Sequence, residues 1–403
     1  MTPPAPERAP TIRSLTATVY LPTFLFAVGQ GAVIPIVALT AREVGASVAV
    51  AGLIVALRGI GTMVFDIPAG QLVSRLGERK AMVVGTGLLL FSLGGAVFAT
   101  SPASFGAFMF VMGWGWSMWL LARLTYVSEV MPIELRGRAL STLGGVNRIG
   151  NFVGPFLGAA AITAAGIDGA YYVHIALSTL GLAVLLAIRD PHGRAELSGH
   201  VPTGVGTIVR DHSKVFLTAG LAATCISVLR SSRHAVIPLW AESVGVDAAG
   251  VGIIFGISSA MDMTLFYPAG LISDRFGRKR VAVPCLTLLA TGFMLLPLTD
   301  SFWTIAAVGL LIGFGNGLGS GIVMTLGADF APEGARAAFL GVWRMVSDVG
   351  QAGGPLLAAA VTGAATLGAA SLSVGGLGLA GAAVMLFLVP EPLKRRTTPN
   401  LRQ

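Results

Sequence analysis

Nine charged residues, Arg and Asp, stand inside stretches of otherwise apolar side chains. They are the bases Arg58, Arg123, Arg148, Arg230, Arg233 and Arg344 and the acids Asp66, Asp262 and Asp348. A charge in hydrocarbon is costly, so such side chains pair with one another, line a water-filled path or meet a charged ligand. A carboxylate placed there can also take up and release a proton, because its pKa follows water access and the nearness of a base. Asp66, Asp262 and Asp348 are therefore candidates for proton coupling. Several charges have polar companions at helical spacing: Asn147, Arg148 and Asn151; Arg344, Ser347, Asp348 and Gln351; Ser258, Ser259 and Asp262. Residues three and four apart share a helix face. These faces are expected to line a central substrate cavity, together with Gln30, Arg58, Arg230 and Arg233. The alternatives are permanent ion pairs between helices and, for Arg230 and Arg233, snorkelling toward the outer surface.

Other chemistry is not visible. His174, His192, His200, His212 and His234 make no metal-spaced pair with a cysteine or an acid. The two cysteines, Cys225 and Cys285, lie in apolar runs and offer neither a disulfide framework nor a metal site. There is no nucleophile–base set and no Walker loop, so neither an enzyme nor a directly ATP-driven machine is expected. No cofactor and no metal are expected, and a proton gradient is the expected energy source.

The elements that must position these charges are membrane spans. Of 403 residues 54% are hydrophobic and 11% charged, with mean hydropathy +0.79. A soluble domain is about a quarter charged. Twelve apolar runs fall near 15–40, 49–73, 81–100, 104–128, 139–163, 170–188, 214–240, 249–273, 281–299, 302–328, 338–362 and 369–389. Each is long enough to cross the roughly 30 Å of a bilayer's hydrocarbon. The 54 glycines suit close helix contacts in lipid.

Loop charge orients the chain. Twenty of the 27 lysines and arginines fall in segments on the side of both termini, whereas the opposite loops hold Arg42 alone. Positive loops mark the cytoplasmic side, so both termini are expected in the cytoplasm. The net charge of +8 is thus explained by topology, not by nucleic acid. The reading is an all-α, multi-pass protein of the cell membrane. Residues 1–13 form a disordered cytoplasmic tail, 14–190 a six-helix bundle, 191–213 a cytoplasmic linker with His192, Arg194, Glu196 and His200, 214–390 a second bundle and 391–403 a tail.

The two bundles are repeats. Residues 68–80 read Pro-Ala-Gly-Gln-Leu-Val-Ser-Arg-Leu-Gly-Glu-Arg-Lys, and Pro268, Ala269, Gly270, Arg275, Gly277, Lys279 and Arg280 follow at an offset of 200. The same offset relates Gly113, Gly115, Pro132, Arg136, Gly150, Gly154 and Pro155 to Gly313, Gly315, Pro332, Arg336, Gly350, Gly354 and Pro355. The pattern Gly-x-x-x-Asp-Arg-x-Gly-Arg-Lys over Gly270–Lys279 resembles the signature loop of the major facilitator superfamily, between the second and third helices of each half. Gly150-Asn-Phe-Val-Gly-Pro-Phe-Leu-Gly158 resembles the Gly-x-x-x-Gly-Pro-x-x-Gly pattern of that superfamily's proton-coupled exporters.

The resemblance implies twelve transmembrane helices in two pseudo-symmetric six-helix bundles around a cavity that opens alternately to each side. It implies secondary active transport, with proton-coupled export of small organic compounds, drug-like or anionic to zwitterionic, as the reading and import of a small metabolite as the alternative. Partners are the substrate, protons and the lipid bilayer, with no nucleic acid, and the protein is expected to be a monomer. The resemblance assigns a gating loop to Gly70, Arg75, Gly77 and Arg79 and to Gly270, Asp274, Arg275, Gly277, Arg278 and Lys279, the motif's Asp facing a helix N-terminus of the other half. The first copy departs: Ser74 replaces the Asp, and Glu78 replaces a base. Basic loops that only fix topology are the alternative. Gly150, Gly154, Pro155 and Gly158 form the fifth-span motif, for which plain small-residue packing is the alternative. The Arg that drug exporters of the superfamily carry near the outer start of the fourth span is absent, since Phe108-Met109-Phe110 stands there.

Four contacts are expected. Glu129 and Asp329, which end the fourth and tenth spans, should pair with Arg79 and Lys279. Asp66 should approach Arg344 when the cytoplasmic side closes. Arg148 and Asp262, about nine and eleven residues in from the cytoplasmic side and so near 14 and 16 Å deep, should face each other across the fifth and eighth spans.

Overall fold

The structure is a computed structural model that describes residues 15–187, 205–332 and 335–391. The expected tails, apart from Glu391, and the polar stretch 188–204 with His192, Arg194, Glu196 and His200 lie outside the described residues.

Among the described residues, twelve long helices follow the twelve apolar runs. They are α1 Thr16–Glu43, α2 Val48–Leu76, α3 Glu78–Val97, α4 Pro102–Val130, α5 Ile133–Ala165 and α6 Asp168–Ala187, then α7 Ser213–Ser243, α8 Ala248–Phe276, α9 Lys279–Leu298, α10 Phe302–Phe330, α11 Arg336–Ala364 and α12 Leu367–Leu388. The last part of the expected linker is itself ordered as a short helix, Val205–Asp211. Ten of the twelve are long and apolar enough to cross a membrane. The other two, α5 and α11, are long enough but carry Arg136, Arg138 and Arg148, and Arg336, Arg344 and Asp348. They are diluted by the polar stripes that the sequence assigns to a cavity.

The repeat holds down to the helix ends. Ser47 Oγ accepts from the Val50 amide at 3.3 Å, and its counterpart Asp247 accepts from Gly250 at 2.8 Å. Such caps satisfy amides that the first turn leaves free. Gly77 and Gly277 end α2 and α8 at φ +81° and +108°, in the left-handed region that favours glycine.

Within each half the same pairs touch: α1 with α5 and α6, and α4 with α2 and α3; then α7 with α11 and α12, and α10 with α8 and α9. Gly150 meets Phe24 and Ala27, Gly154 meets Val28 and Gly31, and Gly158 meets Ala32, so the fifth-span motif seats α5 on α1. In the second half Gly350 meets Thr224 and Ser227, and Gly354 meets Val228, which seats α11 on α7 in the same way. Packing therefore accounts for the motif in both copies. The halves meet along α2–α11 and α5–α8.

Two faces can be told apart. The basic face holds the α2–α3 and α8–α9 turns. The far face holds the α1–α2 and α7–α8 turns.

Candidate functional site

At the α5–α8 seam, Arg148 Nη1 donates to Asp262 Oδ2 at 3.0 Å. Its Nη2 donates to Ser320 Oγ of α10, and its guanidinium lies 4.4 Å from the centre of the Phe266 ring. One cation of the first half thus grips two helices of the second. The expected meeting of Arg148 and Asp262 is present.

At the α2–α11 seam, Arg344 Nη2 lies 3.4 Å from Asp66 Oδ2, and Arg344 Nε lies 3.6 Å from Asp348 Oδ2. Ser117 Oγ of α4 donates to the other oxygen of Asp66. One guanidinium serves two carboxylates. The repeat makes this the counterpart of the first seam with different chemistry. Positions 148, 262 and 266 are Arg, Asp and Phe, whereas 348, 62 and 66 are Asp, Thr and Asp.

The Asp66–Arg344 contact was expected on closure of the basic side, and the structure differs. Closure is on the far side. Gly52 and Gly59 of α2 abut Ala359 and Ala352 of α11, and Gly252 of α8 abuts Ala159 of α5. Arg42 Nε lies 3.3 Å from Glu242 Oε2 across the ends of α1 and α7. Toward the basic face, Gly70, Gly137, Gly144, Gly270 and Gly341 have open space beside them. The two ion-pair clusters lie where the halves begin to part.

Between the halves lie two adjoining cavities. The larger, about 470 Å³, is lined by Gln30, Asn147, Arg148, Asn151, Arg230, Arg233, His234, Ser259, Asp262, Asn316 and Gln351 among others. The smaller, about 190 Å³, is lined by Arg58, Trp116, His234, Arg344, Asp348 and Gln351 among others. Asp66 joins it through Arg344. Arg230 and Arg233 face this interior and do not snorkel. Ser258 is a correction: it is buried with its carbonyl against Gly313, and its neighbour Ser259 faces the cavity. A helix turns about 100° per residue, and Gly313 lets α10 approach the Ser258 side so closely that only backbone fits. Arg123 lies outside both cavities, buried inside the first bundle with its guanidinium 4.2 Å from the Trp119 ring centre.

One feature was not foreseen. α10 is interrupted between Phe302–Leu318 and Ile322–Phe330. Gly321 stands there at φ +75°, and Arg230 Nη2 donates to the carbonyls of Asn316 and Gly319 at 3.3 and 2.8 Å. The signal in the sequence is Gly313, Gly315, Gly317, Gly319 and Gly321, every second residue. The first half has Gly113, Gly115, Ser117, Trp119 and Leu121 in those places, and α4 is continuous.

The loop motif also departs from expectation. No neighbouring helix approaches Gly70 or Gly270 in this arrangement. Asp274 does not meet a helix N-terminus of the other half. Its side chain is 74% exposed and takes Arg278 Nη1 at 2.6 Å, while Arg278 Nε donates to Asp329 Oδ2 at 2.8 Å. Asp329 thus pairs with Arg278 instead of Lys279. Lys279 Nζ donates to the Leu386 carbonyl at 2.8 Å, and Arg79 Nη2 donates to the Leu185 carbonyl at 2.7 Å. These bases cap the ends of α12 and α6, where carbonyls lack helical partners. Glu78, counterpart of Arg278, faces Glu129. Ser74 donates to the Gln71 carbonyl, and Arg75 and Arg275 are exposed.

A sequence model of the Major Facilitator Superfamily matches residues 19–232 and again 215–402. The chain is 23% identical over 301 residues to a multi-drug resistance efflux pump PmrA homolog of Lactococcus lactis, covering 73% of this chain and 74% of that one. It superposes on a POT family transporter in complex with a thioalcohol conjugated peptide (TM-score 0.79, 12% identity, 96% of this chain and 97% of that one). It also superposes on a D-xylose-proton symporter (TM-score 0.74, 15% identity, 94% and 98%). Two whole-half family matches, on a fold of two repeated six-helix bundles around a charged cavity, lead to one conclusion: the chain belongs to the Major Facilitator Superfamily and is a multi-pass membrane transporter, not an enzyme.

Proposed function

We propose that the protein is a secondary active transporter of the cell membrane that exports small organic compounds in exchange for protons. Its two halves rock about the seams α2–α11 and α5–α8, with both termini and the basic face in the cytoplasm and the protein acting as a monomer. The observation that carries this reading is the pair of ion clusters that bridge the halves beside the cavities. Arg148 with Asp262, and Arg344 with Asp66 and Asp348, are contacts that rocking must break. A carboxylate that loses its guanidinium in a low-dielectric setting gains affinity for a proton. Asp66, Asp262 and Asp348 are the proton carriers in this scheme. The signature loop tunes the equilibrium: Arg278 holds Asp274 while the basic side is open, and Asp274 is released to a helix N-terminus of the first half when it closes.

Similarity to an efflux pump supports export. Import remains the second reading, because Gly154 and Gly354 pack at equivalent positions of α1 and α7, which removes the fifth-span motif as an argument for direction. Everted membrane vesicles test the proposal. With an imposed proton gradient, substrate from a compound panel should accumulate inside and dissipate the gradient, read by recovery of acridine-dye fluorescence. Gradient-driven movement out of everted vesicles establishes import. Flux indifferent to the gradient would sink proton coupling.

A further inference from the structure

The larger cavity is unbalanced in charge. Arg148, Arg230 and Arg233 line it, against Asp262 as its acid, which leaves two positive charges uncompensated on its walls. Arg233 has Arg148, Arg230 and Asp262 as its charged neighbours, so the cations form one group. The adjoining cavity adds Arg58 and Arg344 against Asp348 and the Asp66 behind it, a balanced set. The excess therefore belongs to the larger cavity.

Hydrogen bonding points the same way. Arg230 Nη2 donates to the Asn316 and Gly319 carbonyls at the break in α10, beside Cys285. The buried Nε atoms of Arg230 and Arg233 and the buried Asn147 Nδ2 have no acceptor among the described residues, and on the same walls Asp262 Oδ1 and Asn316 Oδ1 have no donor, which leaves a place for a hydroxyl or amine on the anion's organic part. A buried donor without an acceptor costs about 1–3 kcal/mol, and like cations brought together in a low dielectric repel strongly. A neutral ligand can supply acceptors but leaves the repulsion, a cation worsens it, and an anion answers both. Guanidinium groups match carboxylate and phosphate oxygens in flat, two-point contacts.

We infer that the cargo is a small organic dianion, with two negative charges close together at one end, as in a 1,2-dicarboxylate or a phosphate monoester. The charged end lies among Arg148, Arg230 and Arg233 beside the break in α10, and the organic remainder lies against Phe255 and Pro155, which line the same chamber. The cavity of about 470 Å³ is within the range of sites that enclose a small organic molecule. The break contributes directly. It lets Ser320 and the cations converge: the Ser320 amide turns to the Gly317 carbonyl, which frees the Asn316 carbonyl for Arg230, while the Gly319 carbonyl is shared by Arg230 and the Ile322 amide.

This inference deepens the transport reading and rests on its cavity, but not on coupling or direction. The test is calorimetric titration of the purified full chain in detergent at fixed salt, where no gradient exists. Phthalate, phenyl phosphate, benzoate, benzamide and benzyltrimethylammonium share a ring and differ in charge. Phthalate or phenyl phosphate should bind at least tenfold more tightly than benzoate, with no detectable binding of benzamide or the cation. The tighter of the two dianions decides between carboxylate and phosphate. Arg233→Gln should weaken that dianion tenfold or more, and Arg233→Lys, which keeps the charge, threefold or less, both with an unchanged elution profile. Equal binding of benzoate, benzamide or the cation overturns the inference, as does no binding of either dianion or an Arg233→Gln protein that binds normally. Dianion binding without proton-driven flux overturns the coupling reading alone. Proton-driven flux of other compounds without dianion binding overturns this inference alone.

Discussion

Arg42 and Glu242 occupy the same position in the two repeats, 200 residues apart, and their side chains meet at 3.3 Å. Equivalent positions of two parallel repeats can touch only on the axis that relates them. The contact therefore marks that axis at the far face. An internal duplication starts with identical residues at such a point, and like charges there would repel. Here the two copies have diverged to opposite charges. Arg42 Nη1 also donates to the Ala46 carbonyl at 2.5 Å, which fixes it at the turn between α1 and α2.

Arg42→Ala should shift the protein toward an arrangement open on the far face. The pair is about one-third exposed on each side, so it is worth at most about 1 kcal/mol, or up to about fivefold in population. Spin labels on Glu43→Cys and Ser243→Cys read this directly, since the native Cys225 and Cys285 are buried. The longer-distance population should grow in Arg42→Ala and return to normal in the swap Arg42→Glu with Glu242→Arg. A distance distribution untouched by either change would dismiss the latch.

Arg148→Gln and Asp262→Asn should each lower transport at least tenfold. Each leaves one partner of the 3.0 Å pair without its counter-charge in the seam. The double variant should fold and reach the membrane, with any remaining flux independent of pH between 6 and 8. A double variant that regains proton-dependent transport would show instead that the pair is a permanent strut.

Asp66 and Asp348 share Arg344, so either can be lost while the guanidinium keeps a partner. Asp66→Asn or Asp348→Asn alone should change the pH–rate profile with little loss of thermal stability. The double variant strands Arg344, and its destabilisation should exceed the sum of the single effects by about 1–3 kcal/mol. Additive melting shifts would mean that the two carboxylates do not act on a common base.

Glu78 faces Glu129 where the second half sets Arg278 against Asp329. Glu78→Arg should therefore stabilise the first half by roughly 0.5 kcal/mol at a partly exposed site. Melting in detergent at pH 8 should rise by about 1–2 °C, and the rise should vanish when Glu129→Gln is added. An unchanged or lower melting point would refute the equivalence of the two loops.

The sequence by itself determined the twelve spans, the two-fold repeat and the basic face. Hydropathy, spacing and loop charge are local properties, and a bilayer rewards them directly. It also determined that Arg148, Asp262, Arg344, Asp66 and Asp348 face inward, since polar residues at helical spacing in apolar helices have nowhere else to go. Only the tertiary structure decided which charge meets which. Arg278 takes Asp329 while Lys279 caps α12, a choice made by one residue of helix rotation beyond a turn at Gly277. Ser259 rather than Ser258 lines the cavity because Gly313 admits α10 on the Ser258 side. The break in α10 was equally hidden: alternating glycines suit both a closely packed helix and an opened one. Arg230 and Ser320, brought from separate helices to the opened carbonyls and to Arg148, decide between the two. Such contacts depend on how neighbouring helices are rotated and spaced, and no spacing along a single helix encodes that.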